Sequence, residues 1–259
     1  MNTKIINPSE FWRSEMLRLT LFPSEPIKNE AMANFTWWED ATGISPENRN
    51  MQPRINALDE QGIVENGKAN LILQLRSERI DWLLTPILPK DFDFSEIPNI
   101  GFLNDSLDLF TKLLNPWLKK LPIEVKRIAF GAKLIGNVKD KNSGYQKLIT
   151  YLPHVEIDPK NSSDFSYSIN RPKSIAGNGS ILLNRLSRWT FSANVFFKLE
   201  TQAENISQKE NIKHNVCNLE LDINTSQELN LKLNRNTCPL IFESLIQNAK
   251  DIATNGDIT

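Results

Sequence analysis

Three observations predict an α+β protein built mainly on antiparallel sheet. Apolar and polar residues alternate at a period of two in one stretch after another. Helical spacing is confined to a few segments. The strand-like stretches also come in clusters, whereas a parallel sheet would need regular strand–helix alternation. The expected architecture is two antiparallel halves joined by a central helix, with a further helix at the C-terminus.

The first strand is read in SEMLRLTLF (14–22), where Leu17, Leu19 and Leu21 share one face and Met16, Arg18 and Thr20 the other. ANFTWWEDATG follows as a short helical or turn segment. ISPENRNMQPRINALDEQG (44–62), with its prolines and asparagines, reads as a loop excursion with one or two helical turns. A hairpin or strand pair comes next: Asn66-Gly67 is a turn dipeptide, Leu71, Leu73 and Leu75 alternate, and Trp82 and Leu84 resume the pattern. An acidic connection (90–104) leads to a helix in which Leu107, Phe110, Leu114, Trp117 and Leu121 recur, with Asn104 or Asp105 as N-cap and a kink or break at Pro116.

In the second half, EVKRIAFGAKLIGNV (124–138) reads as a strand with Gly131 and Gly136 as sites of bulging or close backbone approach. Ser143 caps a short helix that ends before Pro153. HVEID, DFSYSIN and SILLNRLSRWTFSANVFFKLE follow as strands. TQAENISQKENIK (201–213) reads as an exposed loop, and HNVCNLELDINT as a strand with Cys217, Leu219, Leu221 and Ile223 inward. The last helix starts after Thr237 and stops at Asn255-Gly256. The corresponding division is an N-terminal half (1–103), a central helical segment (104–122) and a C-terminal half (123–259), or one continuous domain.

Composition narrows the function classes. A formal net charge of −1 argues against a surface coated in basic groups for bulk nucleic-acid binding. Two cysteines are too few for a disulfide framework and suit a reducing cytoplasm. The N-terminus lacks the apolar run of a signal peptide, and no stretch approaches the roughly 20 apolar residues that span a bilayer. Cytoplasmic residence without membrane attachment is therefore expected.

Motifs that fix a reaction are missing from the chain. AGNGS (176–180) lacks the lysine and spacing of a phosphate loop, and reads as a hairpin turn. His154, His214, Cys217 and Cys238 do not supply the second closely spaced ligand pair of a zinc site, so no metal or other cofactor is expected. No nucleophile elbow is present, and acid pairs such as Glu39-Asp40 are ordinary surface features. One stretch stands out: 165–199 has no acidic residue, carries Arg171, Lys173, Arg185, Arg188 and Lys198, and interleaves Tyr167, Trp189 and Phe196. Such a face can hold a single nucleic-acid strand; the plainer reading pairs these arginines with the acidic segment 91–108.

The order of LILQLRSERIDWLLTPILP, a helix, VKRIAFGAKLIGNV, SGYQKLITYLP, LELDINT and a final amphipathic helix resembles a sporadically distributed bacterial family of about this length with no assigned activity. The resemblance rests on Arg127, Ile128 and Asn137 at the start of the second half and on Asp222 to Thr225 before the last helix. It implies an accessory role, of the kind encoded in defence or toxin–antitoxin loci, and supplies no catalytic residues.

The leading expectation is a non-enzymatic protein-interaction role, with a partner bound by an exposed sheet face or by the loops at 34–62 and 200–214. Trp37, Trp38, Arg185, Arg188 and Trp189 are its candidate anchors, because tryptophan and arginine dominate interface energetics. The alternatives are single-strand nucleic-acid binding through 165–199, with Arg171 and Lys173 contributing, and an enzyme of unrecognised class.

Overall fold

The computed structural model describes residues 10–65, 67–88, 95–175, 181–202, 205–227 and 231–258. The predicted α+β class holds: one antiparallel sheet carries helices on one face, with a central helix and a C-terminal helix. The first half comprises β1 (Arg13–Pro23), α1 (Asn29–Ala33), α2 (Trp37–Thr42), β2 (Asn48–Gln52), β3 (Ala57–Val64), β4 (Ala69–Arg76), β5 (Arg79–Pro86) and α3 (Leu103–Leu118). The second comprises β6 (Val125–Val138), α4 (Lys141–Tyr151), β7 (Ser166–Asn170), β8 (Lys173–Ile175), β9 (Ile181–Gln202), β10 (Asn205–Thr225) and α5 (Cys238–Asn255).

Strand order is β2-β3-β4-β5-β1-β6-β10-β9-β7, with β8 also on β9. Each half places its first strand beside its last, then steps back outward through the preceding strands. The halves meet where β1 and β6 pair antiparallel, with Leu17 opposite Ala132 and Leu19 opposite Phe130. One plan is thus used twice within one sheet, although the two halves share no sequence repeat.

The period-two alternation explains the inner face. Leu17, Leu19 and Leu21 of β1 are fully buried, as are Leu71, Leu73 and Leu75 of β4 and Cys217, Leu219 and Ile223 of β10. Against them pack Leu107, Phe110, Leu114 and Trp117 of α3 and Phe242, Leu245 and Ala249 of α5. All six tryptophans lie in this core. The outer face is polar. Thr20 donates to Asp81 Oδ1 at 2.6 Å, and an amide ladder runs Asn170–Asn184–Asn224–Asp222 across three strands. Residues 95–101 cross this face at one end, with Ile97 packed on Ile135 and Val216.

Several expectations are corrected. The excursion at 44–62 forms β2 and most of β3, and the loop expected at 201–213 is instead the continuation of β9 and β10. HVEID is not a strand. The N-cap position of α3 is Phe102, not Asn104 or Asp105. Pro116 is carried inside the last turn and does not split the helix. For α4 the cap is Asp140: its side chain accepts from Ser143 N (2.8 Å) while Ser143 Oγ accepts from Asp140 N (3.0 Å), a capping box worth about 1 kcal/mol. The AGNGS stretch, read as a hairpin turn, lies outside the described residues.

Candidate interaction surface

The candidate anchors are dispersed by the fold. Trp37 and Trp38 begin α2 and are 3% and 0% exposed. Phe35 stacks on Trp37 at 4.0 Å, and Trp38, Trp82 and Trp117 complete an aromatic cluster beneath the first half. These rings bind the protein's own core, which corrects their reading as exposed anchors. Tryptophan serves interiors and interfaces for the same reason, its large apolar area, so residue type alone does not separate the two.

β9 divides the basic stretch between two faces. Arg185 and Trp189 sit inward, 3% and 0% exposed, while Arg188 points to the open outer face. Burial weakens Arg185's hold on its proton, an effect offset in part by Asp251 of α5. Trp189 stacks on Tyr151 (5.5 Å), meets Trp12 edge-on (5.9 Å) and donates to Ser187 Oγ. Arg171 is committed elsewhere: its Nε and Nη2 donate to Asp257 Oδ2 at 3.2 and 3.0 Å, and Tyr167 donates to the same oxygen at 2.9 Å. Asp257, with a side chain only 3% exposed, thereby fastens the end of the chain to β7. Among the described residues the acidic partner of Arg171 is Asp257. Of the named residues, Lys173 and Arg188 remain exposed. Among the described side chains, the arginines and aromatics of this stretch are therefore split between the two faces of β9.

The candidate region at 200–214 is, in its described residues, strand and not loop. β10 pairs with β6 only over Asn215–Asn224, and β9 meets β7 only over Leu186–Thr190. Beyond those limits, among the described residues, β9 and β10 pair with each other alone, from Asn194 opposite His214 to Gln202 opposite Asn205, with a register shift between Gln208 and Glu210. The ten residues Asn205–His214, at ~3.3 Å each, carry this two-stranded arm about 33 Å past the sheet. Among the described residues, each arm strand has one edge with no strand partner, a row of backbone donors and acceptors available to another chain.

Chemistry of other kinds is not assembled among the described residues. No three His, Cys, Asp or Glu side chains converge to hold a metal ion. Cys217 and Cys238 are free thiols, buried, and burial pushes each pKa up to about 12, which keeps them protonated and unreactive near neutrality. No helix is long and apolar enough to cross a membrane. No protein-family model matches the chain, and no curated protein matches its sequence.

Proposed function

We propose that the protein is a cytoplasmic accessory protein that binds another protein through the β9–β10 arm. The supporting observation is the arm itself: two strands of 22 and 21 residues that overrun a sheet whose other hairpin strands, β4 and β5, have eight each. An isolated two-stranded ribbon is marginal in water. One that projects from a packed body, with free edges, is suited to adding or receiving a strand from an extended segment of a partner. An accessory role in a defence or toxin–antitoxin locus, implied by the family resemblance, belongs to the same proposal.

The test compares the full chain with a shortened one in which residues 195–213 are replaced by Asn-Gly. Asn194 and His214 are direct partners, so a two-residue turn closes the hairpin there. Both tagged chains are recovered from their own cells after nuclease treatment. The expected result is a stoichiometric protein companion on the full chain, lost from the shortened chain while its thermal unfolding stays within a few degrees. Equal recovery of the companion by both chains removes the arm as the site. Recovery of no companion, with binding of short RNA or DNA that weakens steeply with salt, replaces the proposal by the nucleic-acid reading.

A further inference from the structure

The outer face holds a second feature, independent of the arm. A pit of about 290 Å³ opens at the centre of the sheet, where β1, β6, β10 and β9 run side by side. One cross-strand row forms its floor: Arg18 opposite Gly131, Gly131 opposite Asp222, Asp222 opposite Leu186. The next row adds Lys133, Glu220 and Arg188 at the rim.

Three things about this pit point to a ligand. Charges of both signs line it, yet among the described residues Arg18, Lys133 and Arg188 form no ion pair with Glu220 or Asp222. Arg18 Nε has no hydrogen-bond acceptor among the described residues, although a guanidinium N–H away from solvent normally has one. Gly131 has no side chain, and the Arg18 guanidinium folds over it towards β10, 3.5 to 3.6 Å from where a Cβ would stand.

We infer that this pit binds a zwitterionic α-amino acid with an apolar side chain. The Arg18 guanidinium lies over β6 and the Asp222 carboxylate belongs to the next strand, a separation of about one strand spacing, ~4.8 Å. An α-amino acid carries its carboxylate and ammonium on a single carbon and bridges that distance, the carboxylate receiving charge-assisted bonds from Arg18 and the ammonium donating to Asp222. Glu220 and Arg188 on the rim repeat the same pair of charges. Met16 on β1 and Leu186 on β9, the latter 38% exposed, offer apolar walls for the ligand's side chain. A plain anion leaves the two carboxylates opposed to it, and a plain cation leaves Arg18 without an acceptor.

The experiment is a titration of the full chain, followed by amide NMR, with L-leucine as probe and two single-charge analogues, 4-methylpentanoate and isopentylamine. Saturable shifts centred on Gly131 and Asp222 are expected with leucine, with each analogue at least about tenfold weaker, as loss of a charged hydrogen bond requires. Arg18→Gln should weaken leucine at least tenfold. Analogues that match leucine, saturation centred elsewhere, or no saturable shift with any of the three overturns the inference.

Discussion

The two halves of the sheet use one plan but finish it differently. In the first half the hairpin β4–β5 is flush with its neighbours: Ala69 lies opposite Pro86 and Arg76 opposite Arg79, and β5 pairs with β1 along most of its length. In the second half the corresponding hairpin β9–β10 overruns everything around it. The helices differ in the same sense. α3 ends in ordinary helical backbone at Lys119, whereas α5 ends at Gly256 with φ +91°, its backbone pressed against the carbonyl of Tyr151 at the end of α4. The first half is closed by side-chain packing. The second is closed by backbone contacts and by the Arg171–Asp257 latch, which hold a compact base from which the arm projects.

The largest expected effect breaks that base. A Cβ at Gly256 would stand 1.9 Å from Tyr151 O, a backbone atom that cannot turn aside, and the positive φ adds strain. Gly256→Ala should cost about 3 kcal/mol in urea denaturation. Lys119→Ala, at the matching helix end of the first half, should change stability by less than about 0.5 kcal/mol. Similar losses for both would mean that the two helix ends are held alike.

The same contrast explains what could be read from the sequence. Strands that bury one face against helices betray themselves by alternation, as Leu17-Leu19-Leu21 and Cys217-Leu219-Leu221-Ile223 do. β2 is an edge strand with exposed Asn48, Arg49, Asn50 and Gln52, and only Met51 of its five residues leans on the core, so its sequence resembles a loop. The arm strands follow the same rule: TQAENISQKENIK carries no apolar alternation, so its strand pairing is not visible in its sequence. The pit is invisible for another reason. Its floor is assembled from four strands, and the register that aligns Arg18, Gly131, Asp222 and Leu186 is not written in any one of them. The tryptophans and Arg185 were legible as special residues, but their residue types are common to interfaces and interiors.

Buried carboxylates sharpen the comparison. In the second half Asp257 receives three donor groups. In the first, Glu60 is 1% exposed and faces one cation, Arg49 at 2.9 Å, whose own side chain is 37% exposed. Burial pushes the Glu60 pKa up to about 6, more than Arg49 draws it down, and Glu39 adds to the rise. With a folded value above the unfolded one, Glu60 favours folding most below pH ~4.5, and that contribution fades as pH rises through about 6. Glu60→Gln should therefore be more stable than the native chain at pH 7.5, by up to about 2 kcal/mol, and nearly equal to it at pH 4.5. A Glu60→Gln variant that is less stable at pH 7.5 would show that the Arg49 pair outweighs desolvation.

The smallest effect separates the two aromatic clusters. In the second-half cluster Trp12 donates its Nε1–H to Ala253 O at 2.9 Å, joining the start of β1 to the end of α5. In the first-half cluster the Nε1 atoms of Trp38, Trp82 and Trp117 are sealed from solvent and reach no conventional acceptor among the described residues, while Trp82 and Trp117 meet edge-on at 5.3 Å. Trp12→Phe and Trp82→Phe remove the same atoms from sites 1% and 0% exposed, so the volume lost is common to both. What differs is the hydrogen bond, and Trp12→Phe should cost about 1 kcal/mol more. Equal losses in chemical denaturation would assign the Trp82 N–H a comparable bond to a neighbouring ring face, and would make the two clusters equivalent in energy despite their different wiring.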